Sequence, residues 1–344
     1  MTWLIVNAGS SSVKLVAFDE GLAEVGRAAV DRVGAGGPAD HGAALEEGLR
    51  QLAVPVSSLT AAAHRVVHGG ARQAAARLTE GVRDEIAACA ALAPLHNPAN
   101  LLGIAAVARL APGLPQYVSF DTAFHATNPE LAVTYALPLA ERQRGLRRYG
   151  FHGISYAAIV RKVQETSIKR LPKRLLAFHL GNGASACAIL DGRSVATTMG
   201  YSPLDGLTMG TRGGGMDPGV VLDLAARHGV EGAARILNRE SGLFGLGGSP
   251  DMRALRAAGT PEAAFAIDHF CYWATRHAGS LIAAMGGLDA IAFTGGIGEN
   301  DAQVRARILA GLDWIARDVE VLVIPADEER QIALEARALR EAGK

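Results

Sequence analysis

Residues 6–14 read VNAGSSSVK, with TWLI before them and LVAF after them. Both flanks are β-branched or aromatic apolar runs, which suit buried strands. The turn between them is small and polar. Small residues let backbone N–H groups approach an anion closely, hydroxyls add donors, and Lys14 supplies a positive charge. The stretch is not a phosphate loop of the GxxxxGK[ST] type, because no helix follows it and that pattern is absent from the chain. Taken alone, it reads either as a polar hairpin tip or as a cradle for an anion.

The rest of the chain bounds the choice. Its 344 residues suffice for about two domains, each with its own core. Apolar residues make up 49% and charged residues 20%, as in a globular protein. Basic and acidic residues balance at 34 each, which gives no reason to expect nucleic acid or a membrane surface as partner. Only five of the basic residues are Lys, so Lys14 beside the turn stands out. Cys89, Cys187 and Cys271 are dispersed and odd in number, which suggests no disulfide framework. No basic region with a following apolar stretch opens the chain, and no segment reaches the roughly 20 apolar residues of a membrane span. A cytoplasmic protein is expected.

Along the chain, the opening reads strand, turn, strand, turn, strand through Val30, and a similar block runs from Leu175 to Thr198. NAGSSSVKLVAFDEG at 7–21 is echoed by LGNGASACAILDG at 180–192, a Gly/Asn/Ser turn between two buried strands in each case. The echo reads as a chance pair of hairpins or as two similar α/β domains. Thr79 is placed as the N-cap of a helix, and further helices are expected at 220–228, 261–285, 301–312 and 327–339. FTGGIGEN at 293–300 reads as a glycine-rich turn after a strand, and GGIGEN lacks the last Gly of a dinucleotide fingerprint.

Several polar residues stand in positions that favour chemistry. Arg65 lies at the end of a strand in HRVVHGG, and Arg212 lies in MGTRGGGMDP, where glycines leave a guanidinium room to reach a carboxylate or phosphate. His96, His125 and His152 occupy short polar loops, whereas His41 and His228 read as surface residues. Asp121 directly follows a strand, and Glu328 follows the last one. No His/Cys cluster has zinc spacing.

Together, VNAGSSSVK, HRVVHGG, LHNPAN, FDTAFH, RYGFHGIS, HLGNGAS, SPLDGLTMGTR, DMR, FTGGIGEN and, more weakly, IPADEE resemble the acetate kinase family of actin/hexokinase/Hsp70-like phosphotransferases. The motifs run in the family's order from residue 4 to about 334. The resemblance implies two similar actin-like (ribonuclease H-like) α/β domains, each a mixed sheet flanked by helices, around a nucleotide cleft. It places the first at 1–148, with the final helix at about 327–344 packing back on it. The second, at 149–326, would bind the nucleotide and form a homodimer.

The implied reaction is reversible transfer of the ATP γ-phosphoryl group to acetate, giving acetyl phosphate and ADP, with Mg2+ as cofactor and Mn2+ as a substitute. Residue by residue, Asn7 and Glu328 match the metal positions, while Lys14, Ser10 and Ser12 match nucleotide contacts. Arg65 matches the carboxylate-binding arginine. Asp121 matches the catalytic acid, and His152 and Arg212 match the groups that stabilise the transferring phosphoryl. Val67, Leu95, His96, Phe151 and Pro203 match the substrate pocket. The ATP segments are His179, Leu180, Gly181, Asn182 and Gly183, then Asp251, Met252 and Arg253, then Gly296, Ile297, Gly298, Glu299 and Asn300.

The chain departs from the family where Gly213 and Gly215 replace a Ser and an Asp near Arg212, a loss expected to loosen that arginine. Tyr156 and Ala326-Asp327 also differ. Against the family pattern the chain is shorter, with residues missing between about 34 and 61 and between 314 and 321. Propionate or butyrate kinase, and a non-catalytic ATP-binding module, are the rival readings.

Overall fold

The computed structural model describes residues 2–9, 12–34, 36–94, 96–166 and 171–343. Contacts divide the chain into two compact units, one of residues 1–126, 153–158 and 327–344, the other of residues 127–152 and 159–326. Residues 127–148, expected with the first domain, belong to the second unit. Among the described residues no helix is long and apolar enough to cross a membrane.

In the first unit β1 (Thr2–Ala8), β2 (Ser12–Phe18), β3 (Glu24–Asp31), β4 (Leu59–Val66), β5 (Ala76–Arg77) and β6 (Gln116–Phe120) form one sheet in the order β3-β2-β1-β4-β6-β5. β1, β2 and β3 make an antiparallel meander, and β4 and β6 add in parallel to β1. β1 explains its own composition. Leu4, Val6 and Ala8 pack on one face with Leu45, Leu49 and Val107, from helices His41–Leu52 and Asn97–Leu110. Trp3 and Ile5 pack on the other face with Ile332, Ala333 and Ala336 of helix Glu328–Glu341. A strand covered on both faces is apolar throughout rather than alternating.

The second unit repeats the plan. β7 (Arg174–Leu180), β8 (Ala184–Leu190), β9 (Arg193–Thr197), β10 (Ala290–Thr294) and β11 (Glu320–Val323) lie in the order β11-β10-β7-β8-β9. β7, β8 and β9 again form an antiparallel meander, with β10 and β11 added in parallel. The echo between the two hairpins is therefore a shared topology. Phe178 and Phe293 stack at 5.1 Å across β7 and β10, a contact that adds about 1 kcal/mol to the burial of both rings. Helix Pro261–Met285 covers β8. It starts at the Thr260 N-cap with Pro261 following and stops at left-handed Gly286.

Thr79 caps helix Glu80–Ala88 by accepting from the Val82 N–H, as its sequence predicts. Elsewhere the helices differ from expectation. Helix Gly153–Thr166 arises where the glycines and His152 read as a loop, because Ile154, Ala158, Ile159 and Val163 follow with buried helical spacing. GGIGEN is a short helix, Gly295–Asn300, entered through left-handed Gly295. Helix Pro218–Arg235 exceeds 220–228 and contains a non-helical Gly229.

Candidate active site

In the first unit the polar candidates gather at the carboxyl ends of parallel strands, where ligands of open α/β sheets bind. The β1–β4 register ends at Val6 opposite His64, so Asn7 and Arg65 come next. Arg65 pairs with Ser119 on β6, and the Asp121 N–H donates to the Val66 carbonyl one step beyond. The Arg65 guanidinium meets Asp121 through Nε–Oδ1 at 3.1 Å and Nη2–Oδ2 at 2.7 Å. Its Nη1 stands 3.8 Å from Glu328 Oε2, at the start of helix Glu328–Glu341.

Burial works against the Arg65 charge, but Asp121 and Glu328 outweigh it and raise its pKa. Burial pushes the Asp121 carboxyl up; Arg65 pulls it back, Glu328 adds to the rise, and His96 lowers it. Two carboxylates thus share one guanidinium. That donor set suits a hard divalent cation, which takes one or two carboxylates and fills its remaining positions with water and phosphate oxygens. No closed group of three His, Cys, Asp or Glu ligands occurs among the described residues.

Two asparagines of LHNPAN hold this corner together, and the sequence reading did not single them out. Asn100 accepts from the Val67 N–H (3.1 Å) and donates to the Ala8 carbonyl (2.8 Å), joining the ends of β1 and β4. Asn97 accepts from the His68 N–H and donates to the His68 carbonyl, both at 3.0 Å. Their signal was two amides flanking Pro98 at a helix start. His96 stands at the N-cap of that helix, and Val67 is buried.

At the serine turn, the Gly9 N–H donates to the Ser12 carbonyl, and Asn7 pairs with Lys14 across the hairpin. His41 is no surface residue: it is buried, and its Nε2 donates to the Gly9 carbonyl at 2.8 Å. Ser10 and Leu95 lie outside the described residues.

In the second unit, His152 adopts a left-handed backbone (φ 59°), a region sparsely used by side-chain-bearing residues. Its ring lies against that of His179, centroids 4.2 Å apart and planes tilted by 31°, and its Nδ1 lies 2.8 Å from Ser185 Oγ. Arg212 reaches the same place from the glycine-rich loop, its Nη1 donating to the Pro203 carbonyl at 2.8 Å. Gly183 shows how closely they converge. A methyl group there would lie 2.9 Å from Arg212 Nη2 and 3.2 Å from His152 Nε2, so only glycine leaves their common target open.

Burial lowers the Arg212 pKa to about 10, and no carboxylate among the described residues pairs with it. A half-buried guanidinium with no carboxylate beside it suits an anion.

Beside these groups opens a cavity of about 790 Å³. Gly181, Asn182, Asp251, Met252, Arg253, Gly296, Ile297 and Asn300 line it, together with Arg256 and Gln303, which the sequence reading missed. Asp301 holds Arg256 at the rim by Nη2–Oδ1 at 2.8 Å and Nε–Oδ2 at 3.0 Å. Leu180 and Gly298 are buried outside the lining. Glu299 Oε1 instead accepts from the Gly295 and Ala326 N–H groups. Phe151 is buried beside His152 in sequence.

A sequence model described as the acetokinase family matches residues 35–335. The chain belongs to the acetokinase family. Acetate kinase of Methylocella silvestris is 41% identical over an alignment of 392 positions that covers 98% of this chain and 97% of the relative. Those positions outnumber the chain's 344 residues, so this acetokinase lacks internal segments that the relative carries. Among solved structures, Porphyromonas gingivalis acetate kinase superposes with a TM-score of 0.90 at 32% identity, covering 98% of this chain and 99% of the other. A propionate kinase from Francisella tularensis gives the same score and identity, covering 97% and 98%.

Proposed function

We propose that this acetokinase moves the γ-phosphoryl group of ATP to the carboxylate of a short aliphatic acid, acetate first, and releases ADP and the acyl phosphate, reversibly. The observation that carries the reading is the convergence of Arg212 Nη2 and His152 Nε2 on the space above Gly183. Two N–H donors and a fixed charge aimed at one empty position suit the equatorial oxygens of a phosphoryl group in flight.

The acceptor needs no general base, because a carboxylic acid with a pKa near about 4 is already ionised at neutral pH. Asp121 occupies Nε–H and one Nη2–H of Arg65, which leaves three N–H groups of that fork for the substrate carboxylate. Val67, Leu95, Phe151 and Pro203 are assigned to the acyl chain, with His96 nearby. The cavity of the second unit takes the nucleotide, its phosphates toward Gly181–Gly183 and its base toward Met252, Ile297 and Gln303. Lys14, Ser10 and Ser12 are assigned to the phosphates.

Glu328, Asn7 and Asp121 are the residues that would hold Mg2+, or Mn2+ in its place. When bound, the cation neutralises charge on the phosphate oxygens. Asp121 acts as an anchor for that charge and for Arg65, not as a base. A homodimer through the second unit is supported by Phe265 and Tyr272, which are exposed seven residues apart on one face of helix Pro261–Met285.

Propionate stands close behind acetate, since one methylene in an apolar pocket is worth only about 1–3 kcal/mol. The test is ATP with acetate, propionate or butyrate, Mg2+ and hydroxylamine, which traps acyl phosphate as the hydroxamate. Hydroxamate from acetate is expected. None from any of the three acids, with ATP still bound, leaves a nucleotide-binding module instead.

A further inference from the structure

Across the β7–β8 hairpin, His179 faces Ser185 in register, so both side chains stand on one face of the sheet. His152 meets both: its ring packs at a tilt against that of His179, and its Nδ1 reaches Ser185 Oγ at 2.8 Å. Ser185 is fully buried. The pair fixes the ring in its plane and in its rotation, and Nε2 is thereby turned to Gly183 and Arg212 Nη2. The local chain disfavours the left-handed backbone at His152, so this orientation is held by its surroundings.

We propose that Ser185 is a positioning residue whose hydroxyl holds His152 in the tautomer that carries its hydrogen on Nε2. The proposal rests on the phosphoryl-transfer reading and names how one of its donors is kept in order. An Nε2 lone pair pointed at a phosphoryl oxygen repels it, whereas Nε2–H donates to it. In the neutral ring only one nitrogen carries hydrogen, and the bond made by the other decides which. In the proposed arrangement the Ser185 O–H donates to Nδ1, so that the hydrogen stands on Nε2, where a phosphoryl oxygen needs a donor. A hydroxyl can also accept from Nδ1–H when the ring is protonated, so Ser185 serves both charge states of His152. A carboxylate in the same place would favour the imidazolium and the opposite neutral tautomer.

The test uses the full chain labelled with 15N at histidine. Two-bond proton–nitrogen correlations report which ring nitrogen bears hydrogen, and the His152 signals are assigned by their loss in His152→Gln. The wild-type spectrum is expected to show the Nε2–H form. In Ser185→Ala, the Nδ1–H form is expected to appear and kcat for acyl phosphate formation to fall by about 10- to 100-fold, with KM for ATP and acetate within about twofold. Ser185→Thr, which keeps the hydroxyl, is expected to retain kcat within about threefold of wild type.

A wild-type ring with hydrogen on Nδ1 overturns the proposal whatever the variants do. So does Ser185→Ala with unchanged kcat, or Ser185→Thr as impaired as Ser185→Ala. Wild-type protein that forms no acyl phosphate overturns the phosphotransfer reading instead, and the spectrum still decides the tautomer.

Discussion

Arg65 and Asp121 form a two-point ion pair at 3.1 and 2.7 Å, with 2% of the Asp121 side chain exposed. The same guanidinium lies 3.8 Å from Glu328. One guanidinium therefore ties together the carboxylate after β6 and the acid at the start of the last helix.

Replacing Asp121 by Asn tests which role the carboxylate plays. The amide keeps the shape but offers one acceptor and turns an N–H donor toward the guanidinium. Breaking a buried pair costs about 3–5 kcal/mol, and Glu328 offsets part of this. Urea unfolding should therefore show a loss of about 3 kcal/mol. Activity should fall at least about 100-fold, with a higher Mg2+ concentration needed for half-maximal rate. An Asp121→Asn enzyme with normal Mg2+ dependence that loses only the basic limb of its pH profile would identify Asp121 as a base.

His64 gives the first unit a defined weakness in acid. It is buried in β4, and its Nε2 donates to Gln116 Oε1 at 2.7 Å. Burial lowers its pKa from 6.5 to about 4, only partly offset by that hydrogen bond. The folded pKa lies below the unfolded one, so the unfolded chain takes up the proton first. This contribution to stability is complete above pH 6.5 and is lost as pH falls from 6.5 toward 4, by about 3 kcal/mol in all. His68 behaves alike for the same reason. His64→Gln keeps a donor for Gln116 and cannot titrate. Its unfolding free energy should fall less steeply over that window, and a slope equal to wild type would exclude His64 as the cause.

The sheets were legible because β1 and β7 are short apolar runs bounded by glycine turns, which suits strands buried on both faces. Asp121 was legible because it directly follows a strand, and Arg65 because it stands near the end of one. Helix Gly153–Thr166 was not, since Gly153 and His152 mask a helical period that starts one residue later. Ser185, Asn97 and Asn100 were also silent. Their roles arise from cross-strand register and from backbone groups of distant segments, Ala8 and Val67 among them, which local spacing does not encode. His41 looked like surface for the same reason: its partner, the Gly9 carbonyl, is 32 residues away.

The loop behind Arg212 separates a required glycine from dispensable ones. Gly214 has φ +78°, and a methyl group there would lie 2.5 Å from the Gly206 and Leu207 carbonyl oxygens. Gly213 has no positive φ, and its nearest neighbour would be the flexible end of Met216 at 3.3 Å. The loop is already pinned by Met209 N–H to the Arg212 carbonyl, Gly215 N–H to the Gly206 carbonyl, and Arg212 Nη1 to the Pro203 carbonyl. These bonds hold the loop in this chain, where Gly213 and Gly215 stand in place of the Ser and Asp of the family pattern. Gly214→Ala should cost at least about 1–2 kcal/mol from its backbone alone and lower kcat by displacing Arg212. Gly213→Ala should keep its activity and gain about 0.4–1 kcal/mol, because it removes freedom only from the unfolded chain. Thermal unfolding and hydroxamate assays on the two variants check this, and equal damage from both would mean that the loop needs flexibility at Gly213 as well as the left-handed bend at Gly214.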